Sequence, residues 1–199
     1  AAGIAPGSLP YYLGTLVEMG LVERRVPATE ARPEKSKRGL YFLRDHLFRF
    51  WFRFVYPSRA LLERGEVAPV RDAVMAEIDP YTGAAFEAVC RDHVWRLSGA
   101  GVLGFLPRIV GTWWDSHGEI DVVAIGDESV LLCECKWTKR PVGENVLDDL
   151  LRRAQRLRTA TSLPATRYAL FAQSGFTAGL QTRAKEEGVL LVSLDDLLA

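Results

Sequence analysis

Cysteine is scarce in this chain of 199 residues, which has only Cys90, Cys133 and Cys135. Three cysteines without a CxxC pair build neither a disulfide framework nor a paired zinc site, and a reducing, cytoplasmic setting is the default reading. Net charge is lacking as well: 25 basic and 25 acidic side chains cancel. The whole chain therefore gives no electrostatic argument for nucleic acid or a membrane. The longest uncharged run, residues 1–17, is broken by Gly3, Pro6, Gly7, Pro10 and Gly14 and has no basic flank before it. It reads as neither a signal peptide nor a spanning helix, and no membrane partner is expected. No GxxxxGKS/T loop occurs, and no internal repeat or low-complexity tract is found.

What is present suits a folded domain with a sizeable core: 48% of residues are apolar and 25% charged. Charge is unevenly spread. Residues 1–60 hold 10 Lys/Arg against 5 Asp/Glu, and residues 61–199 hold 15 against 20. The chain opens on Ala1 and enters directly on a helix approach, so a fragment of a longer protein is expected.

Ser8 is placed to cap a helix with Leu9, Leu13, Leu16 and Val17 on one side, and Gly20 stops it. An apolar-charged stretch, Leu21 to Val26, a polar loop through Pro27 and Pro33, and a strand-like run, Leu40 to Leu43, follow. Helix, strand, basic loop and strand form the ending of a winged helix-turn-helix. Lys35, Lys37 and Arg38 at the wing tip are candidate nucleic-acid contacts. Asp45 then caps an aromatic helix, HLFRFWFRFVY, closed by Pro57. Helical spacing makes this a packing helix with Arg49 and Arg53 on its solvated side.

Residues 1–56 are accordingly read as a partial winged helix with a packing helix, and residues 57–79 as a helical linker with helices over 58–64 and 66–79. Residues 80–199 read as an α/β domain. Its pattern predicts helices over 81–97, 143–160 and 177–187, and strands over 107–114, 118–126, 129–137, 166–173 and 188–193. The order implies a mixed sheet between helices.

Chemistry concentrates on the third of these strands. Alternation sends Val130, Leu132, Glu134 and Lys136 to one face and Leu131, Cys133, Cys135 and Trp137 to the other. So apolar a strand belongs at the centre of a sheet, where Glu and Lys are rarely placed without a partner or a task. On the preceding strand Glu119, Asp121, Val123 and Ile125 are expected on one face and Ile120, Val122 and Ala124 on the other. A hairpin at Gly126-Asp127-Glu128 brings Asp121 and Glu134 to the same end of the sheet. Two adjoining carboxylates repel unless protonated or bridged by a cation, and a hard divalent ion such as Mg²⁺ (or Mn²⁺) fits them. Such an ion lowers the pKa of bound water and stabilises charge on a phosphorane-like transition state, while a nearby lysine orients or activates the water.

The residues GEID (Gly118 to Asp121) and ECK (Glu134 to Lys136) resemble the core of the PD-(D/E)xK nuclease superfamily. Ile120 stands where the superfamily's name has proline. The resemblance implies a restriction-endonuclease-like α/β fold: a mixed sheet flanked by helices behind the N-terminal partial winged-helix segment. It also implies that Asp121 and Glu134 hold metal, that the Cys135 carbonyl is a third ligand, that Lys136 serves the water, and that Glu87 on the preceding helix contributes a further carboxylate. Gln155 is a further candidate by the same analogy.

FRFWFRFVYP (Phe48 to Pro57), FExxC (Phe86 to Cys90), WWD (Trp113 to Asp115), GEIDVVAI and ECKW together are similar to the C-terminal part of archaeal-type AAA ATPases, a domain of unknown function that follows a winged helix. That similarity implies an ATPase module preceding Ala1.

The leading expectation is a Mg²⁺-dependent DNA nuclease, or a nuclease-derived DNA-processing module, with DNA as partner. The alternative is a catalytically silent binding, regulatory or oligomerisation domain, homo-oligomeric where it holds ATPase subunits together. Blander readings stand beside individual residues. Glu134 and Lys136 also suit a structural ion pair, Glu87 a solvated helix position, and Glu119 the outer carboxylate. Arg152, Arg153, Arg156 and Arg158 read as a phosphate track or as a solvated face. Cys133 and Cys135 read as buried small hydrophobes, Trp113 and Trp114 as core, and His46, His93 and His117 as surface or capping residues.

Overall fold

The computed structural model describes residues 6–161 and 165–199; residues 1–5 of the uncharged opening lie outside them. The chain divides into two compact units, one running to Val26 and resuming over Arg32–Glu77, the other formed by Pro27–Ala31 and Ile78–Ala199.

In the first unit, helix α1 (Leu9–Glu18) is followed by strand β1 (Val22–Arg25). Ser8 occupies the N-cap position without donating or accepting a capping bond, a departure from expectation, and Pro10 in the first turn supplies the helical backbone angle instead. Gly20, at φ +71°, ends the helix as expected. Strand β2 (Leu40–Leu43) pairs antiparallel with β1, Val22 opposite Leu43. Their connecting loop carries Lys35, Lys37 and Arg38, all exposed.

Asp45 caps helix α2 (His46–Phe50), its carboxylate accepting from the Phe48 N–H at 3.0 Å. The aromatic helix expected through Tyr56 keeps right-handed helical backbone angles at Phe50, Trp51, Val55 and Tyr56, while its hydrogen-bond spacing changes along the way. After α2 comes a wide π-turn at Trp51–Val55, and then a 3-10 turn at Tyr56–Ser58. Pro57 has no N–H to continue an α-helical ladder. Helix α3 (Arg59–Leu62) follows.

Helix α4 (Val67–Gly99) runs 33 residues with Pro80 inside it. The sequence pattern ends a helix at Pro80 and starts another, but the chain stays helical. The helix formers on either side, among them Ala73, Met75, Ala76, Glu77, Ala84, Ala85 and Glu87, sustain it against a proline cost of about 3 kcal/mol.

The second unit is built on a five-stranded sheet of order β3-β4-β5-β6-β7. Strands β3 (Ile109–Asp115), β4 (Gly118–Ile125) and β5 (Ser129–Lys136) form an antiparallel meander. Helix α5 (Glu144–Ala160) returns the chain to β6 (Ala165–Ala172), parallel to β5. Helix α6 (Ala178–Glu187) leads to β7 (Leu190–Ser193), also parallel, and the short helix α7 (Leu194–Leu198) closes the chain. The fold is mixed α/β, a mixed sheet between helices.

Each face of the sheet has its own core. On one, Val123, Val130, Leu132 and Leu170 pack with Leu147, Leu150 and Leu157 of α5 and Leu180 of α6. On the other, Val122, Ala124, Leu131, Cys133 and Phe171 pack with Phe86, Cys90 and Val94 of α4 and Leu197 of α7. The i, i+3, i+7, i+10 spacing of Leu147, Leu150, Ala154 and Leu157 is the apolar stripe that seats α5 on the sheet. All three cysteines are free and buried; Cys133 and Cys135 face α4, and burial holds both thiols well above their ordinary pKa.

Candidate functional site

The β4–β5 hairpin closes as its turn residues suggest, with the Gly126 N–H donating to the Ser129 carbonyl at 2.9 Å. Register runs from Ile125 opposite Val130 to Val122 opposite Cys133. One step further, Asp121 falls opposite Glu134 where regular pairing has ended.

It ends there because of a bulge. On the other side of β4, Gly111 pairs with Val123 and Trp113 with Ile120, so two steps along β3 meet three along β4. The Thr112 hydroxyl, at the same point, donates to the Asp121 carbonyl at 3.1 Å. Strict alternation fails as a result. Ile120 and Val123 lie in the α5-side core, and Val122 and Ala124 in the α4-side core, whereas the sequence pattern puts Ile120 with Val122. The extra residue re-aims Asp121 out of the ordinary up-down order, so that charges from both flanks act on it: Glu134 of β5 and Glu87 of α4.

Both strand carboxylates are buried, Asp121 at 6% exposure and Glu134 at 2%. Asp121 Oδ2 accepts from the Cys135 N–H at 2.8 Å. That bond shows which way the Cys135 backbone faces. The N–H and C=O of one strand residue point to the same side, so its carbonyl also faces the gap where β4 leaves the ladder. Burial first, and the Glu134 charge second, push the Asp121 carboxyl up to about 8, with Glu87 adding to the lift.

Glu134 is held on both oxygens by cations. Lys136 Nζ lies 2.6 Å from Oε1, and Arg153 Nη2 of α5 lies 2.7 Å from Oε2. Burial works against the Lys136 ammonium, but the hydrogen bond and charge of Glu134 outweigh it and keep the amine above the ordinary lysine range. Lys136 is therefore a charged donor at neutral pH, able to orient a water or a phosphate but not to take its proton.

The site thus brings together Asp121, Glu134, Lys136 and the Cys135 backbone, with Glu87 near enough to be felt. Among the described residues no group of three or more His, Cys, Asp or Glu side chains is placed to hold a metal ion. Two carboxylates and a backbone carbonyl, the rest of the shell being water, match the habit of Mg²⁺. The Glu134 Oε2, buried without a hydrogen bond, together with the buried Asp121 carboxylate would supply the acceptors for such an ion.

Other sequence candidates fall outside this group. Glu119 is exposed at the start of β4, and Gln155 lines a separate shallow cavity of about 460 Å³ with Asp115, His117 and Arg156. Three of the four arginines read as a phosphate track meet a carboxylate, Arg152 that of Asp149, Arg153 that of Glu134 and Arg156 that of Asp115, and Arg158 is exposed. Trp113 is core, as expected. His46 and His117 are exposed, and burial lowers the His93 imidazole pKa against the ring of Phe171.

A cavity of about 440 Å³ opens beside Lys136 and is lined also by Lys139, Arg140, Asn145 and Asp79, the last paired with Lys139 at 3.0 Å. Lys139 and Arg140 were not among the sequence candidates. Their signal was there, since both follow ECKW within four residues of Lys136.

Three similarities to known proteins are found. The model of the family DUF234, archaea bacterial proteins of unknown function, matches residues 51–154, a span that includes Glu87, Asp121, Glu134, Lys136 and Arg153. An uncharacterized protein of Methanocaldococcus jannaschii is 32% identical over 137 residues, covering 68% of this chain and 30% of that protein, so the match spans under a third of the relative's length. Among solved structures, a repair endonuclease from Pyrococcus abyssi aligns with a TM-score of 0.35 at 17% identity, over 53% of this chain and 46% of that one.

Proposed function

The chain belongs to this DUF234 family of archaeal and bacterial proteins of unknown function, and we propose that its sheet-end carboxylates form a Mg²⁺- or Mn²⁺-dependent site that hydrolyses the phosphodiester bonds of DNA. The observation that carries the reading is the pair of buried carboxylates, Asp121 and Glu134, on adjacent strands, the former lifted to about 8 by burial and then by the charge of the latter. Maintaining two such groups costs stability unless a cation or a task offsets it.

Asp121, Glu134 and the Cys135 carbonyl would hold the ion. When bound, the ion supplies charge stabilisation at the phosphate and an acidified water. Lys136, kept charged by Glu134, orients the attacking water or a non-bridging phosphate oxygen. Lys139 and Arg140, on the rim of the adjoining cavity, are placed to hold the substrate backbone as it leaves the site. Glu87 biases Asp121 electrostatically. On the resemblance of the chain's motifs to the C-terminal part of archaeal-type AAA ATPases, the module is proposed to serve an ATPase, and the exposed basic loop at Lys35, Lys37 and Arg38 to give a second DNA contact.

A second reading has its own observation. Glu134 already meets a cation at each oxygen, as a purely structural ion pair would, which suits a silent docking or regulatory domain. Cleavage assays on single-stranded, duplex and branched DNA, run beside thermal melts with and without Mg²⁺, separate the two. The nuclease reading expects Mg²⁺ to raise Tm and to support cleavage that Asp121→Asn, Glu134→Gln and Lys136→Ala each abolish. Melting indifferent to Mg²⁺, with no cleavage of any DNA form, leaves the silent module.

A further inference from the structure

We propose that Arg153 is the resident counter-cation of this site, balancing Glu134 Oε2 while no divalent ion is bound and giving that oxygen up when one arrives. The inference rests on the metal-site reading above and adds a positioning residue to it.

A carboxylate as buried as Glu134 cannot stay ionised without compensation. Its two oxygens are compensated unequally. Oε1 takes a short, directed hydrogen bond from Lys136, a neighbour on the same strand face. Oε2 has the Arg153 guanidinium at 2.7 Å, yet the approach lacks hydrogen-bond direction and the oxygen is left, buried, without a bond. A guanidinium committed to a carboxylate forms a parallel two-bond fork. Arg153 does not form that fork, and its Nε donates instead to the Asp149 carbonyl of its own helix at 3.2 Å. The contact to Oε2 is therefore charge compensation with the directional part missing, which another cation can replace at small loss.

The surroundings allow the exchange. Arg153 sits beside Ala154 on the α5 stripe that seats the helix, and the methylene stem passes Gly118, where an added Cβ would stand 3.6 Å from Arg153 Cδ. Its side chain keeps 21% of its surface in solvent. The head can swing to water while the stem stays packed, in the manner of long basic side chains at an apolar edge. Lys136 is the firmer partner, because its contact to Oε1 is a directed hydrogen bond at 2.6 Å. Oε2 is the oxygen left to be shared with Asp121.

Direct titration of Mn²⁺ into the whole chain, followed by calorimetry at fixed pH and salt, tests this. Arg153→Met, which keeps the stem and removes the competitor, is expected to bind Mn²⁺ roughly tenfold more tightly than the unmodified chain. Arg153→Lys, which restores the charge, is expected to return affinity to near the starting value. Asp121→Asn, the control for the site itself, is expected to bind none. If Arg153→Met fails to fold by circular dichroism, Arg153→Gln serves in its place with the same expected direction.

Equal or weaker Mn²⁺ binding by the charge-removing variant, with the unmodified chain binding normally, overturns the counter-cation role and leaves the metal site standing. No binding by the unmodified chain overturns both.

Discussion

Asp121 is the residue at which burial and a neighbouring charge act in the same direction, and pH is the variable that reads it out. Its carboxyl rests at about 8 in the folded protein against roughly 4 in an unfolded chain. Between those values the folded state keeps a proton that the unfolded state has lost, so the proton's contribution to stability is complete below about pH 4 and disappears as pH rises towards 8. Chemical denaturation in EDTA should show stability falling across this window by on the order of a few kcal/mol, and Asp121→Asn should flatten the slope. An unchanged slope in the variant assigns the titration elsewhere. Glu134→Gln should behave differently, costing about 1–3 kcal/mol by melting, less than a sealed ion pair, because Lys136 and Arg153 both reach solvent.

At the scale of elements, the β4–β5 hairpin fixes the site, and its turn tolerates little. A Cβ on the buried Gly126 would stand 2.6 Å from Phe105 Cδ2 and 3.0 Å from the Leu106 carbonyl. Gly126→Ala should therefore cost about 1–3 kcal/mol through overpacking and lower Tm accordingly. The substitution is remote from the carboxylates, so Mg²⁺ should still raise the variant's Tm by as much as that of the unmodified chain. A hairpin that slipped register would instead lose the Mg²⁺ response along with stability.

At the scale of the whole molecule, charge is balanced overall but locally spent: three of the arginines on α5 are tied to carboxylates. The cations proposed to meet a phosphate backbone are those of the cavity rim, Lys139 and Arg140, and those of the exposed β1–β2 loop, Lys35, Lys37 and Arg38. Anisotropy titrations of duplex DNA between 50 and 200 mM salt should show a slope that flattens by about one for each phosphate contact removed. Lys139→Glu with Arg140→Glu should flatten it, and so should reversal of the loop triplet, whereas Arg152→Glu should change it little. A chain that binds no DNA at any of these salts does its work through protein contacts instead.

The sequence by itself determined the elements and most of their order. Period-2 and period-3.6 patterns are local, and Gly126-Asp127-Glu128 between two apolar runs suits a hairpin, which is why Asp121 and Glu134 could be expected at the same end of the sheet from their spacing. Tertiary structure decided how they are oriented and what they touch. The bulge that turns Asp121 out of alternation arises from mismatch between β3 and β4, and no single strand records such a mismatch. Arg153 reads on its helix as one of four similar arginines, and only the packing of α5 against the sheet brings this one to Glu134. Pro80 ends a helix by local rule, yet α4 continues through it because the helix formers on both sides outweigh one missing bond. For the bulge and for Arg153 the deciding energy comes from residues distant in sequence, and a pattern read along the chain does not contain it.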